Sequence, residues 1–165
     1  MDLVFYVAGA VSFVSTIMVI TRRNPIHALL YFILSLLGIA VIFLDLGAPF
    51  VAALEIIIYA GAIMVLFIFV IMLLSPEPSE LARPALWVGP ALLGLLLTAG
   101  LVYGVVSSHG QIPPTESSSP KEVGIALFGP YILGVEFASL LLLAGLIAAY
   151  HLGRRERAGD QGGQP

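Results

Sequence analysis

Residues 50–74 read FVAALEIIIYAGAIMVLFIFVIMLL, an apolar run interrupted by a single charged residue, Glu55. A bilayer-spanning helix takes about 20 predominantly apolar residues. This run is therefore long enough to cross a membrane, and it lacks the polar face that a helix on a soluble domain needs. Similar runs occur at residues 3–21, 26–46, 85–106 and 130–151. The composition agrees. The chain has 165 residues, 59% hydrophobic and 10% charged, with a mean hydropathy of +1.06. A soluble domain is about 45–50% apolar and about 25% charged, so a soluble globular enzyme is excluded. The expected fold class is an all-α integral membrane protein with five transmembrane helices. They form a single domain over residues 1–152, followed by a polar tail over 153–165.

The connections between the runs carry helix-boundary signals. Before the first run stand only Met1 and Asp2, and no small-residue cleavage pattern follows it. It is expected to be a retained helix, not a signal peptide. Asn24 is placed to cap the second helix, with Pro25 in its first turn. Gly47-Ala48-Pro49 is too short to join anything but antiparallel neighbours. Residues 75–84 form a polar loop, and 107–119 a long connection rich in Pro and Ser. Ser119-Pro120-Lys121-Glu122 has the pattern of a capping box, which predicts a short helix ending at Gly129-Pro130. Gly100 and Gly104 in the fourth helix have the spacing of a close helix contact.

Orientation follows from the basic residues. With five spans, Arg22, Arg23, Arg83, Arg154, Arg155 and Arg157 fall on one side, and Lys121 alone on the other. This places the N-terminus outside and the C-terminus in the cytoplasm. The absence of cysteine excludes disulfides, thiolate metal sites, iron–sulfur ligation and cysteine nucleophiles. His27, His109 and His151 are not paired at ligand spacing, and no phosphate loop or hydrolytic triad is present.

The informative residues are the ionisable ones within the spans. A carboxyl-bearing residue near the bilayer centre costs about 2.5–3.5 kcal/mol on translocon scales, so such residues face protein or water and mark function. Glu55 and Glu136 enter from the same side, both at roughly 8–9 Å depth for a rise of about 1.5 Å per residue. Each is a candidate for proton exchange, or alternatively a protonated carboxyl bonded to a neighbouring helix backbone. Tyr59 follows Glu55 by one turn and is placed either to bond it or simply to pack. Asp45 and His27, at opposite ends of the second helix, read as interface or capping residues rather than as members of a proton relay. Gly61, within Ala60-Gly61-Ala62, permits close packing or a local π-bulge.

Residues 53–67 (ALEIIIYAGAIMVLF), 24–31 (NPIHALLY), 127–131 (LFGPY), 135–145 (VEFASLLLLAG) and 151–159 (HLGRRERAG) together resemble a known family. It is subunit J of bacterial respiratory complex I, the proton-pumping NADH:quinone oxidoreductase, and the counterpart of mitochondrial NADH dehydrogenase chain 6. The likeness covers nearly the whole chain apart from 75–85, 107–119 and the end of the tail. It implies a subunit of the bacterial inner membrane that binds no cofactor itself, in a complex using NADH, FMN, iron–sulfur clusters and quinone on other subunits. The partners implied are subunits A, H, K and N. It further implies a π-bulge around 59–65 whose rotation opens or closes a water-filled proton path. Glu55 and Tyr59 would lie on or beside that path, Gly61 would permit the bulge, and Val65 would belong to the gating segment. Glu136 is a possible second buried carboxyl. Two other readings stand beside this one: a purely structural or assembly subunit, and a subunit of a related multisubunit cation/proton antiporter.

Overall fold

The computed structural model describes residues 3–74, 85–107 and 119–159. The expected loop at 75–84, which holds Arg83, lies outside the described residues, as do most of the long connection with His109 and the end of the tail. All regular structure among the described residues is helical. Five helices are long and apolar enough to cross a membrane: Leu3–Thr21, Pro25–Asp45, Pro49–Leu73, Trp87–Ser107 and Ile132–Arg154. The chain divides into two compact units, Met1–Ser117 and Ser118–Pro165.

In the first unit, α1 (Leu3–Thr21) and α2 (Pro25–Asp45) form an antiparallel pair. Asn24 caps α2, its side chain accepting from the Ile26 N–H at 2.9 Å. Gly47 ends α2 with φ 77°. The Ala48 N–H reaches back to the Phe43 carbonyl and the Gly47 N–H to that of Leu44. This is a Schellman close, which needs the left-handed conformation that glycine adopts without a Cβ penalty.

Between apolar helices in a lipid setting, association depends on close packing and interhelical hydrogen bonds. The α1–α2 contact uses both. A Cβ on Gly38 would stand 2.7 Å from Ser12 Oγ and 3.1 Å from the Ala8 carbonyl oxygen. Ser12 Oγ donates to the Ser35 carbonyl at 2.6 Å, and Thr16 Oγ1 lies 2.8 Å from Ser35 Oγ. Thereafter α5 (Ala85–Ser107) packs against both helices, and Ala8, Val11, Val41 and Leu97 form the core. The glycine pair expected to serve packing does so: Gly100 faces Val7, and Gly104 faces Val4 closely enough that a Cβ would stand 2.9 Å from it.

The third span is composite. It runs through α3 (Pro49–Leu54), a π-helical stretch π1 (Glu55–Ile63) and α4 (Met64–Leu73). All three parts pack on α2.

In the second unit, Ser119 begins α6 (Pro120–Leu127) with the expected capping box. The Lys121 N–H donates to Ser119 Oγ at 3.3 Å, and the Ser119 N–H donates to Glu122 Oε2 at 3.1 Å. A turn through Gly129-Pro130 follows, and then α7 (Ile132–Gly159). This helix starts slightly later than expected and continues through the stretch read as the start of a polar tail. Arg154, Arg155, Glu156 and Arg157 are good helix formers. No proline interrupts them, so the backbone has no reason to stop at His151.

Candidate functional site: a π-helical turn in the third span

The third span packs on α2 along all three of its parts, and its two fully buried residues are Ala52 and Met64, each 1% exposed. In a continuous α-helix, at about 100° per residue, the step from Ala52 to Met64 would end roughly 120° away around the axis. The two residues would then not share a face. A π turn takes up extra residues by bonding each N–H five residues back, and this brings both anchors onto α2. The Met64 N–H is directed at the Tyr59 carbonyl, five residues earlier, and also at that of Gly61. Between the anchors, no residue of π1 is fully buried.

Gly61 fits this backbone closely. A Cβ there would stand 3.3 Å from the Ile56 carbonyl oxygen, five residues earlier. The wider turn brings that carbonyl over the glycine, so any larger residue must push it away. The resemblance implied a π-bulge around 59–65. The π stretch instead begins earlier, at Glu55, and ends at Ile63, so it includes Glu55, Tyr59 and Gly61 and excludes Val65. Val65 lies in the first turn of α4 and is exposed.

Glu55 is half-buried and opens the π stretch, its N–H directed at the Val51 and Ala52 carbonyls. Tyr59 is 48% exposed. Among the described residues no hydrogen bond joins Glu55 to Tyr59. Beyond Met64, an apolar recess of about 300 Å³ separates α4 from α2, lined by residues including Leu29, Leu30, Ile33, Ile68 and Ile71. Glu136 stands near the start of α7 and is exposed within its own unit.

The family described as NADH-ubiquinone/plastoquinone oxidoreductase chain 6 matches residues 15–152. The chain belongs to that family. Among its relatives, NADH-quinone oxidoreductase subunit J of Escherichia coli K12 is 50% identical, covering 97% of this chain and 90% of the relative. Subunit J of Pseudomonas aeruginosa is 51% identical over 94% of this chain and 98% of the relative. Subunit J of Buchnera aphidicola from Schizaphis graminum is 42% identical over 95% and 100%. The chain 6 match encloses every candidate residue named above, from Glu55 to Glu136.

Two features of this chain 6 family member escaped the reading of the sequence. His27, read as an interface or capping residue at the start of the second helix, is 1% exposed, a burial that reading did not signal. Its ring meets that of Trp87 edge to face at 5.7 Å and 78°. The second feature is the hydroxyl network of Ser12, Thr16 and Ser35. A signal for both was present: His27, Tyr31 and Ser35 recur every four residues and so line one face of α2. Asp45 ends α2, half-buried, as expected of a residue at the helix terminus.

Proposed function

We propose that this chain is a membrane-arm subunit of a proton-translocating NADH:quinone oxidoreductase. In this reading it carries no redox group of its own and helps couple quinone reduction to proton pumping. The names and coverage of its relatives support the complex, and the five spans support a multi-pass protein of the bacterial inner membrane. The partners it would meet are subunits A, H, K and N. NADH, FMN, iron–sulfur clusters and quinone belong to other subunits, and the C-terminus faces the cytoplasm.

The observation that carries a gating role is π1 between the two anchors. If the π turn closes to α geometry, Ala52 and Met64 no longer share a face, and α4 must turn relative to α3. The recess between α2 and α4 leaves room for that turn. Glu55 and Tyr59 sit on the stretch that changes register, so the movement repositions a carboxyl and a phenol relative to a water chain outside this subunit. Gly61 lets the backbone hold the wider form, and Val65 moves with α4.

Gly61→Val tests the reading. A β-branched side chain under the Ile56 carbonyl is expected to leave assembly intact and to lower NADH-driven proton uptake and quinone reduction together in inverted vesicles. A fully assembled Gly61→Val complex with native turnover and an unchanged proton-to-electron ratio sinks the gating role. Glu55→Gln and Tyr59→Phe separate gating from bracing: native turnover in both, with full assembly, leaves the span a purely structural part.

A further inference from the structure

We propose that the apolar recess between the start of α2 and the end of α4 binds an anionic phospholipid, one acyl chain lying in the recess and the headgroup meeting Arg23. The proposal needs only that these helices cross a membrane, and it does not depend on the gating role of π1. On α2 the recess is lined by Ile26, Leu30 and Ile33, all within the first nine residues of the helix. On α4 it is lined by Ile68, Ile71 and Met72, within the last six. Both helices therefore place it at one end of the first unit, beside the 22–24 connection that joins α1 to α2. Its α2 wall reaches roughly 12 Å from the start of that helix, within one leaflet of a hydrocarbon core about 30 Å thick.

Shape and lining select a hydrocarbon chain. No lining side chain carries a hydrogen-bonding group, so the recess offers nothing to hold a water or a polar ligand. At about 300 Å³ it is too small for a partner's helix, since a single turn about 10–12 Å across and about 5.4 Å tall displaces more than that. Left empty, its walls would lose dispersion contacts on one side. Ile68 is 42% exposed and Met72 70%. The recess is thus open along its side, and a chain enters it without any helix moving apart. A flexible chain also withdraws when α4 turns, so occupancy does not conflict with the movement described above.

Charge selects the headgroup. Arg23 is exposed and precedes the lining residue Ile26 by three positions, which keeps their Cα atoms within about 11 Å of one another. Its neighbour is already engaged: the Arg22 guanidinium stands over the Tyr31 ring at 5.4 Å and donates to Met18 Sδ at 3.6 Å. Arg23 has no ion pair or hydrogen bond among the described residues. The positive end of the α2 dipole lies at the same level. A guanidinium takes a phosphate through paired N–H donors, and a basic group beside a slot between spans is the complement of an anionic lipid. The phosphate goes to Arg23 and the chain to the recess.

The assembled complex, reconstituted in proteoliposomes, tests the site with photoactivatable lipids that carry the reactive group on an acyl chain. Phosphatidylglycerol is the anionic probe and phosphatidylcholine the zwitterionic control. The anionic probe is expected to label residues 26–33 and 68–72 about fivefold more than the control, the ratio that roughly 1 kcal/mol per basic residue gives. Arg23→Gln is expected to bring the two probes level, with assembly unchanged by co-purification, and Arg23→Lys to keep the preference. Leu30→Trp fills the recess and is expected to lower labelling by both probes. Equal labelling by the two probes in the native complex overturns the proposal, because the recess then touches only bulk lipid. A preference that survives Arg23→Gln overturns it as well. Labelling by neither probe does so too, since protein then fills the recess. If Leu30→Trp fails to assemble, the Arg23→Gln comparison decides. None of these readouts involves pumping, so this proposal and the gating role tested by Gly61→Val fail separately.

Discussion

Glycines in this chain differ sharply in what a methyl group would meet. Gly38 lies under Ser12 Oγ and the Ala8 carbonyl, whereas nothing stands within 4 Å of a Cβ on Gly9 in the facing helix. Gly38→Ala is therefore expected to cost about 1–3 kcal/mol through overpacking. Gly9→Ala should be neutral or stabilising by up to about 1 kcal/mol, because glycine weakens a helix interior. Denaturant titration of the detergent-solubilised protein ranks the pair, and equal effects would refute the close α1–α2 contact. Gly89 offers a sharper case. Gly89→Ala collides with the Tyr31 hydroxyl, so its loss of assembly should be largely restored by adding Tyr31→Phe. Independent losses that simply add would show that the two residues do not meet.

Within single elements, the π turn makes a prediction that an ordinary helix would not. Deleting Ile57 removes a residue from π1 and lets the chain close to α geometry with Ala52 and Met64 still facing α2. Deleting Ile68, in α4, turns every later residue of that helix by about 100°. The Ile57 deletion is expected to assemble and lose coupling, and the Ile68 deletion to assemble poorly. Co-purification with the rest of the complex measures the first property and vesicle acidification the second. A complex that pumps normally without Ile57 removes the need for the π turn. In the second unit, Ser119→Ala deletes one half of the capping box and should destabilise the first turn of α6 by about 1 kcal/mol. Faster amide exchange at Lys121 and Glu122 is the expected signature.

At the scale of the whole molecule, six of its seven basic residues would lie on one side if the five candidate spans alternate across a membrane. The lack of native cysteine makes the resulting topology directly measurable. Lys121→Cys is expected to react with a membrane-impermeant thiol reagent in right-side-out vesicles, and Arg23→Cys only in inverted ones. The opposite pattern reverses the orientation. Large apolar side chains cover the exposed faces of the third span and α7. In water such surfaces would drive aggregation; in a membrane arm they are the faces left for lipid and for neighbouring subunits.

Spans, caps and turns were legible in the chain itself because each depends on a few adjacent residues. A run of apolar side chains must stay helical in lipid, where backbone groups find no water. Asn24, Gly47 and the Ser119–Glu122 pair act on backbone groups within one turn. Gly61 likewise marked a place where the helix can depart from α geometry. Tertiary structure decided what depends on a second helix. The start of the π stretch at Glu55 accompanies two anchors, Ala52 and Met64, meeting α2 together. His27 stood close enough to the end of α2 to read as an interface or capping residue, and only the fold shows that Trp87 of α5 lies against its ring. Burial is a property of what packs above a residue, and helical periodicity records only which residues share a face.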